Sequence, residues 1–199
     1  MKKTALLATA LLLASTQMSL AENCHDKFVR LLIEGNKKTP TKTMVVFEPK
    51  GGAASENEFY YRKTGHWMTV MLGAAKSRTL AYDNTMYTSS DDGKTWKKIR
   101  AMDSEANEKT TLANLKENAK TVKNANCGEE ELDGVMHDTV EAEFEATHGH
   151  KAQNRYKYWI NQKTGWMTKS VYDSKAKSFS SITTQTMEAV PDLTLPMPK

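Results

Sequence analysis

The sequence predicts an α+β protein made mostly of antiparallel β-strands, with one helix near its N-terminus and a second in mid-chain. Three observations support this prediction. Polar and apolar residues alternate over most of the chain after residue 40, Gly-containing turn motifs separate the alternating segments, and two segments show helical periodicity. With 199 residues, of which 39% are hydrophobic, the chain suffices for one domain with an ordered core. A formal net charge of +4 without a Lys/Arg cluster does not favour nucleic-acid binding.

The first 21 residues have the layout of a secretory signal peptide. Two lysines follow Met1, residues 5–14 are Ala, Leu or Thr, and Ser19-Leu20-Ala21 places small residues at the cleavage site. The apolar core is shorter than the about 20 residues that span a bilayer, so we expect no transmembrane anchor in the mature chain. The short charged region is of bacterial type. We therefore predict a single periplasmic domain over residues 22–199 in a Gram-negative cell, with a Pro-rich tail from about residue 190.

Both cysteines, Cys24 and Cys127, belong to the predicted mature chain. An even number of cysteines in an oxidising compartment predicts one disulfide. This bond would close a loop of roughly a hundred residues and stabilise the fold by about 4 to 5 kcal/mol in the chain-entropy model. The alternative is a pair of redox-active thiols, which no Cys-x-x-Cys spacing supports.

The first helix is predicted over residues 25–36, where Phe28, Leu31 and Leu32 share one face and Gly35-Asn36 ends the helix. Alternating segments follow. The predicted strands of the first half are Thr43–Phe47, Glu58–Tyr61, Trp67–Leu72, Arg78–Tyr82 and Met86–Thr88. Turn residues, including Thr64-Gly65, fall between them, which is typical of a β-meander.

A second helix is predicted from about Ser104 to Lys123. Residues 126–128, Asn-Cys-Gly, close it. Its apolar stripe is narrow, so we expect it to lie over another element rather than inside a core. The stripe consists of Leu112, Leu115, Ala119 and Val122. The acidic run Glu129–Glu131 is then expected to be a solvated turn.

The clearest hairpin spans residues 139–160. A turn centred on His150 would place Glu145 opposite Arg155 and Glu143 opposite Lys157 on the solvated face. Val140, Ala142, Phe144, Tyr156, Tyr158 and Ile160 would share the apolar face. Together with two further strands, Trp166–Tyr172 and Lys177–Met187, this pattern predicts a single antiparallel sheet that curves over a core.

Residues 89–96, Ser-Ser-Asp-Asp-Gly-Lys-Thr-Trp, resemble the Asp box of sialidase-type propellers. In that family the motif stabilises a hairpin and is not the catalytic site, and propellers repeat it in successive blades. A single copy therefore predicts one well-formed hairpin without glycosidase activity. We expect Asp91 to accept hydrogen bonds across the turn and Trp96 to pack beneath it.

The chemistry-bearing residues give little support for catalysis or metal binding. His148 and His150 lie at a predicted hairpin tip, and His25 and His137 lie elsewhere, without the spacing of a metal site. No nucleophile motif, unpaired cysteine or phosphate-binding loop is present in the sequence. We therefore expect a protein that is not an enzyme, with no catalytic residue, cofactor or metal.

The segment from Gly134 to Ser170 resembles the LolA-type periplasmic lipoprotein carriers and their lipid-binding relatives. The resemblance rests on about 40 residues: a strand over Val140–Ala146, the strand residues Tyr158-Trp159-Ile160, the turn Lys163-Thr164-Gly165, and the following Lys169-Ser170. Family membership would imply a curved half-barrel sheet with the N-terminal and mid-chain helices as a lid over an apolar cavity. It would also imply binding of acyl chains without catalysis.

The residues themselves also favour a cavity, because two thinly apolar helices cover little of a sheet's apolar face, and apolar hollows bind ligands. The alternative is that the same residues are ordinary core. The candidate lining residues are Phe59, Tyr61, Trp67, Met68, Phe144, Tyr158 and Trp166. The sequence thus predicts a periplasmic carrier of a lipid or lipoprotein acyl chain in outer-membrane maintenance. The alternative function is an envelope adaptor or inhibitor that binds a protein partner through its surface or its tail.

Overall fold

The computed structural model of the protein describes residues 22–36, 39–73, 77–146 and 151–198. The predicted signal peptide, residues 1–21, lies outside this part of the chain. The described elements are, in chain order, α1 (Cys24–Glu34), β1 (Thr41–Pro49), β2 (Ser55–Lys63), β3 (His66–Met71), β4 (Arg78–Tyr82), β5 (Thr85–Ser89), β6 (Lys97–Ala101), α2 (Ser104–Ala119), β7 (Lys123–Leu132), β8 (Val135–Ala146), β9 (Ala152–Asn161), β10 (Met167–Ala176) and β11 (Phe179–Ala189).

The strands form one open antiparallel sheet, in the order β6-β5-β4-β3-β2-β1-β11-β10-β9-β8-β7. β1 and β11 pair along their whole length, from Thr41 opposite Ala189 to Pro49 opposite Ser181. This pairing joins a meander of six strands to a meander of five. The architecture confirms the predicted α+β class with a mostly antiparallel sheet.

The connection through α2 explains why the sheet curves. The helix follows the edge strand β6 and leads into β7, the strand at the opposite edge. Eleven strands laid flat would extend about 48 Å. The 16 residues of α2 extend about 24 Å. The amides of residues 120–122 donate hydrogen bonds to carbonyls of the last helical turn, so this link is not extended and adds little length. Helix and links together therefore fall short of the width of a flat sheet, which fits a sheet that bends into a half-barrel with α2 across its concave face.

The main core lies between α1 and the concave face of the C-terminal strands. Phe28 is fully buried, and its ring centroid lies 5.3 Å from that of Tyr158 and 6.3 Å from that of Phe144. Burying a Phe side chain stabilises a fold by about 1.5 to 3 kcal/mol, and close aromatic pairs add about 0.5 to 1.5 kcal/mol. This cluster holds α1 against the sheet.

Two further links fix α1 to the C-terminal half of the sheet. The Cys24–Cys127 disulfide joins its first residue to β7 and confirms the predicted pairing. The Nζ of Lys27 lies 2.8 Å from a carboxylate oxygen of Asp138 on β8. A structural disulfide indicates an oxidising compartment.

A second hydrophobic cluster lies on the convex face of the N-terminal meander. Met68 on β3 is opposite Leu80 on β4, and both pack with Leu195 from the segment after β11. Leu80 is fully buried, Leu195 is buried, and Trp96 packs at the margin of the cluster. Leu195, together with Leu193, therefore covers this face.

The middle of the chain corrects two sequence predictions and contains one strand that was not predicted. α2 ends at Ala119, and Lys123 is the first residue of β7 rather than the last of the helix. Glu129–Glu131 lies inside β7, not in a turn, and β6 was not predicted. Both β6 and β7 are edge strands, where charged residues prevent pairing with other chains, so neither shows the alternation of a half-buried strand.

The β8–β9 hairpin forms with a register two residues away from the predicted one. Glu143 lies opposite Arg155, and Glu141 lies opposite Lys157. A shift of two residues leaves every side chain on its predicted face, so opposite charges still meet, and Arg155 pairs with Glu141. Residues 147–150, which include the two candidate histidines, lie outside the described residues.

Candidate ligand-binding site

A cavity of about 670 Å³ lies between α2 and the concave face of the sheet. Strands β1, β2, β3 and β11 form its floor, and α2 forms its roof. Cavities that bind small molecules measure about 300 to 1,000 Å³. This hollow is therefore large enough for an organic ligand.

Alternation along the central strands supplies the floor. Thr41, Thr43 and Val45 of β1 face the cavity because every second residue of a strand points to the same side. The residues opposite them on β2 are Tyr61, Phe59 and Asn57, and all three also line the cavity. Thr41 and Thr43 are buried, whereas Val45 is half-buried. The cavity is thus deepest near the β2–β3 turn.

Aromatic and apolar side chains form most of the inner wall. The rings of Phe59 and Trp67 lie 6.0 Å apart between centroids, and Tyr61 is opposite Trp67 on the neighbouring strand. Met187 of β11 and Leu115 of α2 close the wall towards the main core. Such surfaces contact alkyl chains without offering them charge.

The face of α2 above the cavity combines polar and apolar residues. Ser104, Glu108, Thr111 and Leu115 recur every three or four positions and therefore share one side of the helix. Leu115, which belongs to the predicted apolar stripe, reaches the margin of the main core. The roof is thus polar at the N-terminal end of the helix and apolar towards its C-terminal end.

Two hairpin turns fix the N-terminal end of α2. Gly65, in the β2–β3 turn, has φ of +72°, and a Cβ there would lie 2.8 Å from Oγ of Ser104. Asn84, in the β4–β5 turn, accepts hydrogen bonds from N of Ser104 at 3.2 Å and, through its carbonyl, from N of Met102 at 2.8 Å. The helix therefore packs directly on backbone that only glycine permits.

A side-chain hydrogen bond joins the floor to the roof. The hydroxyl of Thr64 donates to the carboxylate of Glu108. Among the described residues that line the cavity, Glu108 is the one charged side chain. Its charge lies at the polar end of the site, beside the β2–β3 turn.

The sheet beside the cavity carries neutral hydroxyl groups. The hydroxyl of Tyr172 donates to Oε1 of Gln185, a lining residue, at 3.4 Å. Burial raises the pKa of Tyr172 and, more strongly, the pKa of Tyr158. Both phenols therefore stay protonated at neutral pH, and the floor gains no negative charge from them.

The structure separates the sequence-predicted lining residues into three places. Phe59, Tyr61 and Trp67 lie on the cavity wall. Met68 follows Trp67 directly and points to the convex face, in the cluster with Leu80. Phe144 and Tyr158 are buried beneath α1, and Trp166 precedes β10, half-buried. Among the cavity residues not selected from the sequence are Thr43, Val45, Leu115, Gln185 and Met187. Alternation along β1 is a sequence signal that could have identified Thr43 and Val45, whereas it carries no information about the residues on α2 and β11.

The Asp-box segment forms the predicted hairpin at the edge of the sheet, away from the cavity. Asp91 accepts hydrogen bonds from Oγ1 of Thr95 at 2.6 Å, from N of Thr95 at 3.0 Å and from Oγ of Ser89 at 2.7 Å. These bonds hold the pKa of Asp91 well below its ordinary range, the Thr95 hydroxyl contributing most. Trp96 packs on the convex cluster. The motif therefore stabilises a turn.

The described part of the chain contains no group of three or more His, Cys, Asp or Glu that could hold a metal ion. His137 is buried, with Nδ1 2.8 Å from the carbonyl of Val135, and His25 is exposed beside Asp26. His148 and His150 lie outside the described residues. In the same part of the chain, no helix has the length and hydrophobicity needed to cross a membrane.

Fold and cavity together define an open antiparallel half-barrel with a helix across a largely apolar hollow. The sequence matches no protein-family model and no curated protein. Among solved structures, the chain is similar to one chain of the MucA/MucB complex of Pseudomonas aeruginosa, with a TM-score of 0.47 and 15% identity. The match covers 84% of this chain and 58% of that one, so this chain spans little more than half its length.

LolA superfamily proteins are also similar in structure. One from Nitrosomonas europaea has a TM-score of 0.36 at 6% identity, covering 85% of this chain and 94% of that chain. A putative outer membrane lipoprotein-sorting protein domain from Vibrio parahaemolyticus has a TM-score of 0.34 at 8% identity, covering 85% and 92%. The resemblance to the LolA superfamily is thus present and weak.

Proposed function

We propose that this protein binds the acyl chain of a lipid or lipoprotein in the cavity under α2, without catalysis, and serves outer-membrane maintenance in the periplasm. The observation that carries the proposal is the cavity of about 670 Å³, whose wall is formed by Phe59, Tyr61 and Trp67. The disulfide between α1 and β7 supports an extracytoplasmic location.

The physical basis is the burial of alkyl chain. Each CH₂ group transferred from water to an apolar wall contributes about 0.8 kcal/mol. The apolar wall supplies contact surface, and the neutral Thr and Asn side chains of the floor leave no charge next to the chain. An acyl chain is therefore the ligand class that the wall fits best.

Native mass spectrometry of protein purified from periplasm, followed by organic extraction, tests the proposal. We expect a co-purifying lipid in the wild type and its loss in Thr111→Trp, because Thr111 lines the cavity from α2 and a large ring there would fill it. Thr110→Trp is the matched control. Thr110 is exposed on the same helix, as Thr111 is, and its hydroxyl likewise donates to the carbonyl four residues earlier, but Thr110 does not line the cavity. Equal lipid in both variants, or none in the wild type after incubation with phospholipid and lipopeptide, would refute the proposal.

One observation favours the alternative, a periplasmic adaptor or inhibitor. Phe179 is 49% exposed although its ring stacks on Phe47, with centroids 6.1 Å apart. Exposed aromatic side chains of this kind occur at protein interfaces. If this alternative holds, a photo-crosslinking residue at position 179 captures one defined envelope protein in cells. The same residue at position 97, an exposed lysine on β6, is the control and should not capture that protein.

A further inference from the structure

The polar end of the cavity contains a buried hydroxyl without a partner. Ser104 is 7% exposed and lines the cavity at the N-terminal end of α2. Within the described chain its Oγ makes no hydrogen bond. A buried polar group without a partner costs free energy. Because this Oγ is covered by the Gly65 turn, a ligand reaches it when the hydroxyl rotates about the Cα–Cβ bond towards the cavity, and the hydrogen bond formed then removes that cost.

The charges around this end oppose an anionic ligand. Glu108 lines the cavity, and Asp103 and Glu105 lie on the same end of the helix. None of the described lining residues is Lys or Arg. The favourable N-terminal end of the helix dipole is already occupied, because Oδ1 of Asp103 accepts a hydrogen bond from N of Ala106 at 2.9 Å. A carboxylate or phosphate placed here would meet negative charge, and none of the described lining residues supplies a counterion.

The same end offers hydrogen bonds to an uncharged group. Asn107 and Thr64 line it together with Ser104, and the carboxylate of Glu108 accepts from donors, as it does from Thr64. A ligand hydroxyl can donate to Glu108 and accept from the hydroxyl of Ser104 with the same oxygen. A ligand amide can do both as well, donating through its N–H and accepting through its carbonyl oxygen. Both needs of the site are thus met by one neutral polar group.

From this geometry, and resting on the function proposed above, we infer that the cavity selects amphiphiles with an uncharged, hydrogen-bonding head, namely acyl esters or amides bearing hydroxyl groups. The head binds Ser104 and Glu108 beneath the N-terminal end of α2, and the alkyl chain lies along Phe59 and Trp67. Free fatty acids and anionic phospholipid heads are discriminated against.

Probes with one chain length and different heads test this inference. We would measure the binding of monododecanoylglycerol, dodecanoate and dodecyl phosphate to the purified mature protein at neutral pH by calorimetry. The tryptophan fluorescence, to which Trp67 on the cavity wall contributes, provides a second readout. We expect monododecanoylglycerol to bind about ten times more tightly than either anion, the factor that corresponds to one hydrogen bond made or lost.

Two substitutions assign the selectivity to residues. Glu108→Gln is expected to tighten dodecanoate binding and to narrow the difference in affinity between the probes. Glu117→Gln changes another exposed carboxylate, at the other end of the same helix and outside the cavity lining, and is expected to leave that difference unchanged. Ser104→Ala is expected to weaken monododecanoylglycerol binding while leaving the melting temperature of the empty protein equal or higher, because the unpartnered hydroxyl is removed. A merely structural serine would lower the melting temperature.

The outcomes separate this inference from the function on which it rests. Binding of all probes with dodecanoate as tight as monododecanoylglycerol refutes head selection and leaves acyl-chain binding intact. Binding of none refutes acyl-chain binding and the inference with it. Unaltered selectivity in Glu108→Gln overturns the assignment to that carboxylate.

Discussion

The contact between Gly65 and Ser104 predicts how strongly the β2–β3 turn holds α2 in place. Gly65→Ala places a side chain at φ of +72°, which costs about 1 to 2 kcal/mol. Alanine also lowers the conformational entropy of the unfolded chain, which offsets about 0.4 to 1 kcal/mol of this cost. Its Cβ would also lie 2.8 Å from Oγ and 3.0 Å from Cβ of Ser104. Overpacking of this kind costs about 1 to 3 kcal/mol more. The expected total loss of unfolding free energy is about 2 to 4 kcal/mol.

The chain provides a matched control for the backbone contribution. Gly165 stands in the same local sequence, Lys-Thr-Gly, in the β9–β10 turn with φ of +67°, and a Cβ there would meet no described atom within 4 Å. Gly165→Ala is therefore expected to cost about 1 kcal/mol. Urea unfolding followed by tryptophan fluorescence measures both, and each 1 kcal/mol corresponds to about 2 to 4 °C in melting temperature for a domain of this size.

A double-mutant cycle isolates the contact. In a Ser104→Gly background, Gly65→Ala should cost no more than Gly165→Ala, because the atoms it would meet are gone. Lipid retention should fall in Gly65→Ala and persist in Gly165→Ala, since only the former displaces the roof of the cavity. Equal destabilisation by Gly65→Ala and Gly165→Ala would show that the contact with Ser104 adds no cost, and so would an extra cost that persists after removal of the Ser104 side chain.

Three further predictions concern stability. Replacing Cys24 and Cys127 together by Ser should lower the unfolding free energy by about 4 to 5 kcal/mol in urea titrations. A loss below about 1 kcal/mol would show that the disulfide does not stabilise the fold by restricting the unfolded chain. The lowered pKa of Asp91, due first to the Thr95 hydroxyl, means that its stabilisation is complete above the unfolded pKa near 4 and is lost as pH falls through the folded pKa. Asp91→Asn should therefore flatten the acid limb of melting temperature against pH, and an unaltered limb would disprove this. Leu195→Ala should cost about 2 to 4 kcal/mol in the same urea titrations, whereas Met197→Ala, at a 69% exposed position, should cost almost nothing, and equal costs would show that the tail does not cover the convex face.

The hairpin β8–β9 shows why alternation predicts faces better than register. Val140 and Tyr158 lie on the predicted apolar face, but each glutamate lies two positions from its predicted partner. A pattern of period two is unchanged by a shift of two residues, so it specifies the face and leaves the register to the turn. The edge strands β6 and β7 escaped prediction for a related reason, because their exposed charged residues break the alternation.

The candidate site shows a different limit. Trp67 and Met68 are adjacent and both hydrophobic, yet the structure places Trp67 on the cavity wall and Met68 in the convex cluster. Both faces of the N-terminal meander carry apolar residues, because the segment that contains Leu195 covers the convex face. A sequence pattern that is apolar on both faces does not say which face looks inward.

The sequence by itself determined the class of fold, the Cys24–Cys127 pairing and the Asp-box turn, because each depends on local periodicity, on a count of two cysteines, or on contacts within eight residues. The tertiary structure alone decided where the cavity lies and what closes it. The roof is set by α2, which crosses from one sheet edge to the other, and by the contact of Ser104 with Gly65, which are far apart in the chain. Long-range packing of this kind leaves no periodic trace in the sequence, since the helix needs only three or four suitable residues on one face to close the hollow.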